Sequence, residues 1–400
     1  MIGMTIWSIL LLLVAMGWLL RHRAISEGVR RMSVLSEGTF VGPPTETPLV
    51  SVLIAAKDEE ANIATAVRTM LEQDYPNFEL IVINDRSTDR TGEILEAIRA
   101  ERGDDRLKVV HVRELREGWF GKNNAMREGV TLARGDWLCF GDADCRQKSR
   151  KTLSTAVRFA LAEKIDFLSL LPELEMNSLW ERIIQPVCSA VMILWFMPEK
   201  VNNPASPEAY ANGAFMLMSR SCHEAIGGYE AVRTEVNEDM HMARLAKERG
   251  QRLFVIQNDG LYSVRMYTTF KQIWLGWSRI FFGCFGTFRR LRLTFMMLTI
   301  MNVFPYLSLM IAALELGFRG WAAAGGGWQA VAAAAALVVV FQQSVIMRFY
   351  RVSGADWRLA PTFIIGALIC IGMLISAMLK LGGRSATVWR GTTYRADKVV

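Results

Sequence analysis

Apolar positions fall into two regimes along the chain. Between residues 49 and 140, short, mainly apolar runs (Val50–Ala56, 79–83, Leu107–Val112 and 137–140) alternate with stretches whose apolar residues recur at helical spacing, as Ile63, Val67, Met70 and Leu71 do. Such runs read as strands buried on both faces, and the 3.6-residue period predicts helices over 59–73, 91–102 and 121–133. Such alternation predicts a mostly parallel sheet covered by helices, with ligands gathered at the carboxyl ends of the strands. Further strands are expected over 167–171 and 209–219, and a further helix over 238–249.

The second regime consists of charge-free runs over residues 4–20, 293–314, 321–347 and 359–379, each close to the about 20 residues that cross a bilayer. No Ala-x-Ala-like cleavage site follows the first, so it reads as an uncleaved anchor over 1–22. A Gly/Pro/Thr-bearing linker is expected over 23–48 and a soluble domain over 49–285. About three membrane helices follow over 293–380, then a basic tail over 381–400. Two further stretches, near 178–197 and 270–288, mix aromatic and apolar residues with charges and read as helices lying in a membrane interface.

Composition sharpens this picture. The 400 residues are 52% apolar and 21% charged, with a net charge of +7. The basic residues crowd beside the apolar runs (Arg21, Arg23, Arg289, Arg290, Arg292, Arg348, Arg351, Arg358), which is the positive-inside signature rather than a nucleic-acid footprint. An integral protein of a bacterial inner membrane follows, with its soluble domain in the cytoplasm. Three crossings after that domain put the tail outside, against the charge trend of Lys380, Arg384, Arg390, Arg395 and Lys398. Residues 321–347, which open with Ala and three Gly, are the expected irregular run. The six cysteines have no C-x-x-C spacing, and the four histidines form no zinc pattern.

The candidate chemistry is acidic. Asp142-Ala143-Asp144 ends the fourth apolar run, and i, i+2 carboxylates on an extended chain share a face, which suits Mg²⁺ or Mn²⁺. Read alone, the tripeptide is equally an acidic turn. Asp85 ends the second run and suits a nucleobase or ribose, while Ser87, Thr88 and Asp89 suit that role or helix capping. Gly121-Lys122-Asn123-Asn124 opens a helix with amides and a lysine suited to a diphosphate. Glu238-Asp239 opens another, where a carboxylate serves as a general base or simply favours the helix dipole.

Together these stretches resemble the family 2 glycosyltransferases of the GT-A fold. The resemblance is carried by Ala55-Ala-Lys-Asp-Glu-Glu-Ala-Asn62, Val82-Ile-Asn-Asp-Arg-Ser-Thr-Asp-Arg-Thr91, Gly121-Lys-Asn-Asn-Ala125, Asp142-Ala-Asp144 and Glu238-Asp239. It implies an α/β, Rossmann-like GT-A domain joined to transmembrane helices, and an inverting transfer from a nucleotide-sugar, a UDP-sugar by expectation. Ala56, Asp58, Glu60, Asp85, Lys122, Asn124 and Asp142 would then bind the donor, and Asp142 and Asp144 a divalent Mn²⁺ or Mg²⁺. Asp239, beside Glu238, would be the base, and Gly213 would line the acceptor side. Where polymerising members carry Gln-x-x-Arg-Trp, this chain has Gln272-Ile-Trp-Leu-Gly-Trp277, which favours single addition over polysaccharide synthesis. Trp277 and Arg279 would close over the donor and Trp274 would face the acceptor. The layout and the Trp389-Arg-Gly-Thr-Thr-Tyr394 stretch resemble bacterial members that glycosylate carotenoid acids or accompany hopanoid synthesis, which implies a lipid acceptor. The alternatives are an exopolysaccharide transferase and a non-catalytic scaffold.

Overall fold

The computed structural model describes residues 2–31, 33–39, 46–382, 387–389, 392–395 and 398–399; the basic tail of 381–400 falls partly outside these. In chain order the elements are α1 (Ile2–Arg31), β1 (Val34–Leu35), β2 (Val50–Ala56), α2 (Ile63–Leu71), β3 (Phe78–Asp85), α3 (Thr91–Arg102), β4 (Leu107–Val112) and α4 (Gly121–Leu132). Then come β5 (Trp137–Asp142), β6 (Cys145–Gln147), α5 (Thr152–Ala162), β7 (Phe167–Leu171), β8 (Glu173–Leu174), α6 (Leu179–Trp195) and α7 (Pro198–Val201). They are followed by β9 (Phe215–Ser219), α8 (Arg220–Ala225), α9 (Gly228–Ala231), α10 (Glu238–Glu248), β10 (Leu253–Asn258) and β11 (Tyr262–Val264). Next are α11 (Phe270–Phe285), α12 (Phe288–Leu298), a π turn (Thr299–Val303), α13 (Phe304–Arg319), α14 (Gly325–Val352), a 3₁₀ turn (Trp357–Thr362) and α15 (Phe363–Leu381), and the last are β12 (Thr387–Trp389), β13 (Thr392–Arg395) and β14 (Lys398–Val399). They form two compact units, one built on the sheet and one of long helices.

Among the described residues the main sheet of the sheet unit has eight strands in the order β1-β10-β7-β9-β5-β2-β3-β4, and β6-β11-β8 form a smaller one. All neighbours in the main sheet pair in parallel except β9, which runs antiparallel to both β5 and β7. An apolar run carries no direction, so the reversed strand was not legible in the pattern. The expected linker is also more structured than its composition implied: α1 runs to Arg31, and Val34–Leu35 forms the parallel edge strand on β10. Val52, Ile54, Leu80 and Val82 are fully or nearly buried in one core layer. Each such side chain contributes about 1.5–3 kcal/mol on burial. On another contact, α4 lies tight because Gly129 is small: a Cβ there would come 2.9 Å from Leu53 Cδ2 and 2.7 Å from Ile83 Cδ1.

One buried carboxylate ties the amino ends of these strands together. Glu79, 2% exposed, accepts from Ser51 Oγ (2.8 Å), the Arg134 amide (2.7 Å) and Lys108 Nζ (2.7 Å). Ser51 Oγ in turn accepts from the Gly135 amide at 2.8 Å, which closes the turn into β5. Burial alone would raise the carboxyl of Glu79, but these donors outweigh it and bring it down to about 2.

In the helical unit, Gly366 of α15 lets that helix approach α6: a Cβ there would sit 2.5 Å from the Ile183 carbonyl oxygen. Among the described residues five helical stretches are long and apolar enough to cross a membrane: Ile2–Gly28, Leu179–Val201, Phe288–Arg319, Gly325–Val352 and Trp357–Leu381. The second cannot make a single crossing. Strands on either side of it, β7 before and β9 and β10 after, belong to one sheet and so lie on one side of any bilayer. The expected irregularity of residues 321–347 is corrected here. α14 is one continuous helix, since its glycines stand at its start and its Ala-rich body favours helix. The irregular turn lies instead at Thr299–Val303, where Asn302 donates to the Leu298 carbonyl and accepts from Gln342 Nε2 at 3.0 Å.

Replacing Glu79 with Ala should cost about 3 kcal/mol, because it leaves buried donors without an acceptor. The carboxyl is depressed on folding, so its stabilisation is present above pH 4.5 and is lost as pH falls toward about 2. Denaturant titration of wild type and Glu79→Gln should therefore diverge above pH 4.5 and converge in acid; parallel curves would contradict this account.

Candidate active site

The carboxyl ends of β2, β3 and β5 and the starts of α4 and α10 supply the polar groups of one site in the sheet unit. Asp142 is the last residue of β5, and Asp144 lies in the two-residue turn into β6. The chain therefore does not stay extended from 142 to 144, and Ala143 is buried at 3% exposure. Lys122, in the first turn of α4, reaches across the site. Its Nζ lies 2.6 Å from Asp142 Oδ1 and 2.7 Å from Glu238 Oε1. Burial opposes the charge of Lys122, but Asp142 and Glu238 outweigh it and hold the ammonium well above its ordinary range.

Asp239, next along α10, faces the same place. Its Oδ2 accepts from the Gly213 amide at 2.9 Å and its Oδ1 from the Met240 amide at 2.8 Å. Burial, and then the neighbouring Glu238 charge, push its carboxyl up to about 7 against the pull of Lys122. Gly213 is small for a reason: a Cβ there would stand 3.2 Å from Lys122 Nζ and 3.4 Å from Asp239 Oδ2. Behind the site, Tyr229 and His223 pack on Phe140, with ring centroids 5.2 and 5.8 Å from it. Burial, then Arg220, brings His223 down to about 4, so it is neutral at pH 7.

Asp85 ends β3 and is held by its neighbour: Arg86 donates from Nε to Oδ1 at 2.8 Å and from Nη2 to Oδ2 at 3.0 Å. Asp58 and Glu60, expected to contact a nucleoside, are engaged with the next loop. Asp58 Oδ1 accepts from the Thr88 amide at 2.7 Å, and Glu60 Oε2 accepts from the Arg90 amide at 3.2 Å. In return Asp58 and Glu60 donate their amides to Ser87 Oγ and Asp89 Oδ2. Asp89 Oδ1 also accepts from the amide of Thr91, the first residue of α3, at 2.9 Å, a bond of the capping kind expected of the 87–89 stretch. Ala56 closes β2, and Asn124 donates to the Glu114 carbonyl at 3.2 Å. Trp274, Trp277 and Arg279 lie on α11 in the helical unit. There Trp277 is buried and donates to Gln185 at 3.2 Å, and Trp274 packs where a Cβ on Gly372 would come within 2.7 Å.

Asn123, read in the sequence only as one of the amides that open α4, organises the approach to α10. Its Nδ2 donates to the carbonyls of Val232 (2.7 Å) and Glu235 (2.9 Å), beside a Phe120 amide bond to the Arg233 carbonyl at 2.8 Å. These bonds pin the loop that delivers Glu238 and Asp239. Only an amide just after a candidate lysine hinted at them.

The donor set for a metal is hard oxygen. Cys145 lies beside Asp144, but burial and then the Asp144 and Asp142 charges push its thiol up, so it offers no thiolate. Among the described residues no three His, Cys, Asp or Glu side chains cluster as a preformed cage. Two carboxylates alone fit an ion of the Mg²⁺ type, which completes its shell with water and substrate phosphates.

A mostly parallel sheet with carboxylates at its strand ends and a lysine in the first turn of α4, accompanied by long apolar helices, is a GT-A-like arrangement. Residues 51–227 match the family model "Glycosyl transferase family 2". The chain is 28% identical over 186 residues to beta-monoglucosyldiacylglycerol synthase of Nostoc sp., covering 46% of this chain and 38% of that protein. It is 22% identical over 233 residues to 4,4'-diaponeurosporenoate glycosyltransferase of Staphylococcus aureus, covering 58% of this chain and 60% of that one. It thus spans less than two thirds of the length of either relative. Among solved structures, mannosyltransferase PcManGT from Pyrobaculum calidifontis, in complex with GDP-Man and Mn²⁺, superposes with a TM-score of 0.54 at 17% identity. That match covers 84% of this chain and 97% of that one, and at this identity it speaks for the fold.

Asn123→Ala should free the loop without removing any charge. Hydrogen–deuterium exchange of amides 232–238 should accelerate by about tenfold, the loss of roughly 1–2 kcal/mol of buried hydrogen bonding. Unchanged exchange there would show that Asn123 does not hold the loop.

Proposed function

We propose that the chain transfers a single sugar from a nucleotide-sugar, by expectation a UDP-sugar, to a lipid hydroxyl at the cytoplasmic leaflet. The observation that carries this reading is the placing of Asp239. A carboxyl pushed up to about 7 and fixed by two backbone amides is suited to take a proton near neutral pH. A carboxyl acceptor would already be ionised and need no base, so a base of this kind favours a hydroxyl. The membrane-length helices and the names of the two lipid-glycosylating relatives support a lipid acceptor.

In this mechanism Asp239 accepts the acceptor's proton as its oxygen attacks the anomeric carbon, and the nucleoside diphosphate leaves from the opposite face with inversion. Lys122 stabilises negative charge developing on the departing diphosphate. Asp142 and Asp144 would hold a divalent cation, Mn²⁺ or Mg²⁺, which supplies further electrostatic stabilisation of that leaving group. Asp85 accepts from the nucleoside, and Gly213 keeps the base accessible to the acceptor.

Nucleoside diphosphate release from the full chain in native membranes tests this. Asp239→Asn should lower kcat by about 10²- to 10⁴-fold. Because only ionised Asp239 acts, the wild-type rate should fall as pH drops through about 7. An Asp239→Asn rate within a few-fold of wild type would overturn the assignment. Chelation of divalent cations, or Asp144→Ala, should abolish release; full activity in excess chelator would remove the metal from the mechanism. A long polymer product would favour the exopolysaccharide reading instead.

A further inference from the structure

Between α7 and β9 the chain runs through residues 202–212 without helix or strand and arrives at Gly213 inside the site. An irregular stretch must find partners for its backbone carbonyls and amides elsewhere. This strap is fastened at both ends. At its start Asn202 bonds β10 twice: Nδ2 donates to the Val255 carbonyl at 2.8 Å, and Oδ1 accepts from the Val255 amide at 2.7 Å. At its end the Asn212 amide donates to Ser169 Oγ at 2.8 Å, and the Gly213 amide donates to Asp239 Oδ2 at 2.9 Å. Its middle is exposed at Asn203, Pro204, Ala205 and Pro207, so packing does not fix it there.

An ammonium holds that middle. Lys247 Nζ lies 2.9 Å from the Ser206 carbonyl oxygen, 3.0 Å from that of Asn203 and 3.4 Å from that of Lys200. An ammonium has three donors, and these three acceptors belong to the strap and the last turn of α7. A cation at the carboxyl end of a helix also meets that end's partial negative charge. Lys247 stands in the last turn of α10, whose first turn carries Asp239. At 1.5 Å per residue the two are about 12 Å apart along the axis. Thus α10 grips the strap from both of its own ends, through Asp239 at Gly213 and through Lys247 at 200–206.

We propose that Lys247 is a positioning residue for the acceptor: by pinning the strap it sets the wall past which a lipid hydroxyl reaches Asp239. This step rests on the lipid-transfer reading. Chain continuity joins the strap to the apolar stretch Leu179–Val201 on one side and to Gly213 on the other, which suits an element that guides a lipid. The donor-side groups stand elsewhere: Asp85 on β3, Lys122 on α4, and Asp142 and Asp144 at the end of β5 and the turn after it. Loosening the strap should therefore weaken use of the acceptor and leave use of the donor unchanged.

The test compares wild type, Lys247→Met and Lys247→Arg as full chains in detergent micelles carrying native lipid extract. Nucleoside diphosphate release is followed with whichever of UDP-glucose, UDP-N-acetylglucosamine and GDP-mannose gives the highest wild-type rate. Lys247→Met keeps an unbranched side chain and removes the donors. Its apparent KM for the extract should rise about tenfold, with kcat and the KM for the nucleotide-sugar within about twofold of wild type. Hydrogen–deuterium exchange at the amides of Ala205, Ser206 and Glu208 should accelerate by about tenfold, while amides 232–238 stay unchanged. Lys247→Arg keeps charge and donors, and should bring the KM for the extract to within about threefold of wild type. An unchanged KM for the extract in Lys247→Met overturns the proposal. So does a parallel rise in both KM values, or a fall in kcat alone, each the mark of a general disturbance. Unchanged exchange in the strap shows that Lys247 does not hold it and overturns the proposal equally. If Lys247→Met fails to fold, Lys247→Gln, which keeps one donor group, is read by the same criteria. Wild-type release that is absent, or does not depend on the extract, defeats the lipid-transfer reading and the proposed role of Lys247 with it. Strap exchange, which needs no turnover, separates that failure from a fault in the tether.

Discussion

The ammonium of Lys122, set between Asp142 and Glu238, is the interaction on which the site depends. Three elements distant in sequence meet there: the end of β5, the first turn of α4 and the first turn of α10. Bringing Asp142, Glu238 and Asp239 together without a cation would place like charges in a partly dry cleft. Lys122 opposes that repulsion, while burial and then the Glu238 charge lift the carboxyl of Asp239 to about 7. The lysine therefore holds the site together and sets the condition under which its neighbour serves as a base.

Much of this was legible in the sequence because the sheet imposes it. Mainly apolar runs marked β2, β4 and β7 and helical periodicity marked α3, each to the residue; the strand-end rule pointed to Asp85 and Asp142, and the helix start to Lys122. The pairing of Lys122 with Glu238 was not legible, since nothing local links residues so far apart. Nor was the role of Asn123, whose partners are backbone carbonyls that any sequence would supply. The i, i+2 argument for Asp142 and Asp144 failed because it assumed an extended chain, whereas the chain turns at that point into β6. Asp58 and Glu60 stand where a nucleoside contact was expected, but their visible bonds join two loops into one rim.

A second constraint comes from the sheet and governs the membrane helices. Residues on both sides of α6 contribute strands to one sheet, so that helix cannot cross once, however apolar it is. Length and hydropathy alone would count five crossings. The mixed apolar and polar composition of α6, with Glu181, Arg182 and Pro186, agrees with the topological argument. Hydropathy finds helices that could enter a bilayer, and strand pairing decides which of them end on the opposite side.

The most direct test of the central claim follows the sugar. The full chain in sealed vesicles with native lipid extract, given a radiolabelled nucleotide-sugar on the face bearing the soluble domain, should yield label in the organic phase. That label should sit on a single-sugar lipid of inverted anomeric configuration. Label confined to a water-soluble polymer, or a lipid product with retained configuration, would contradict the account.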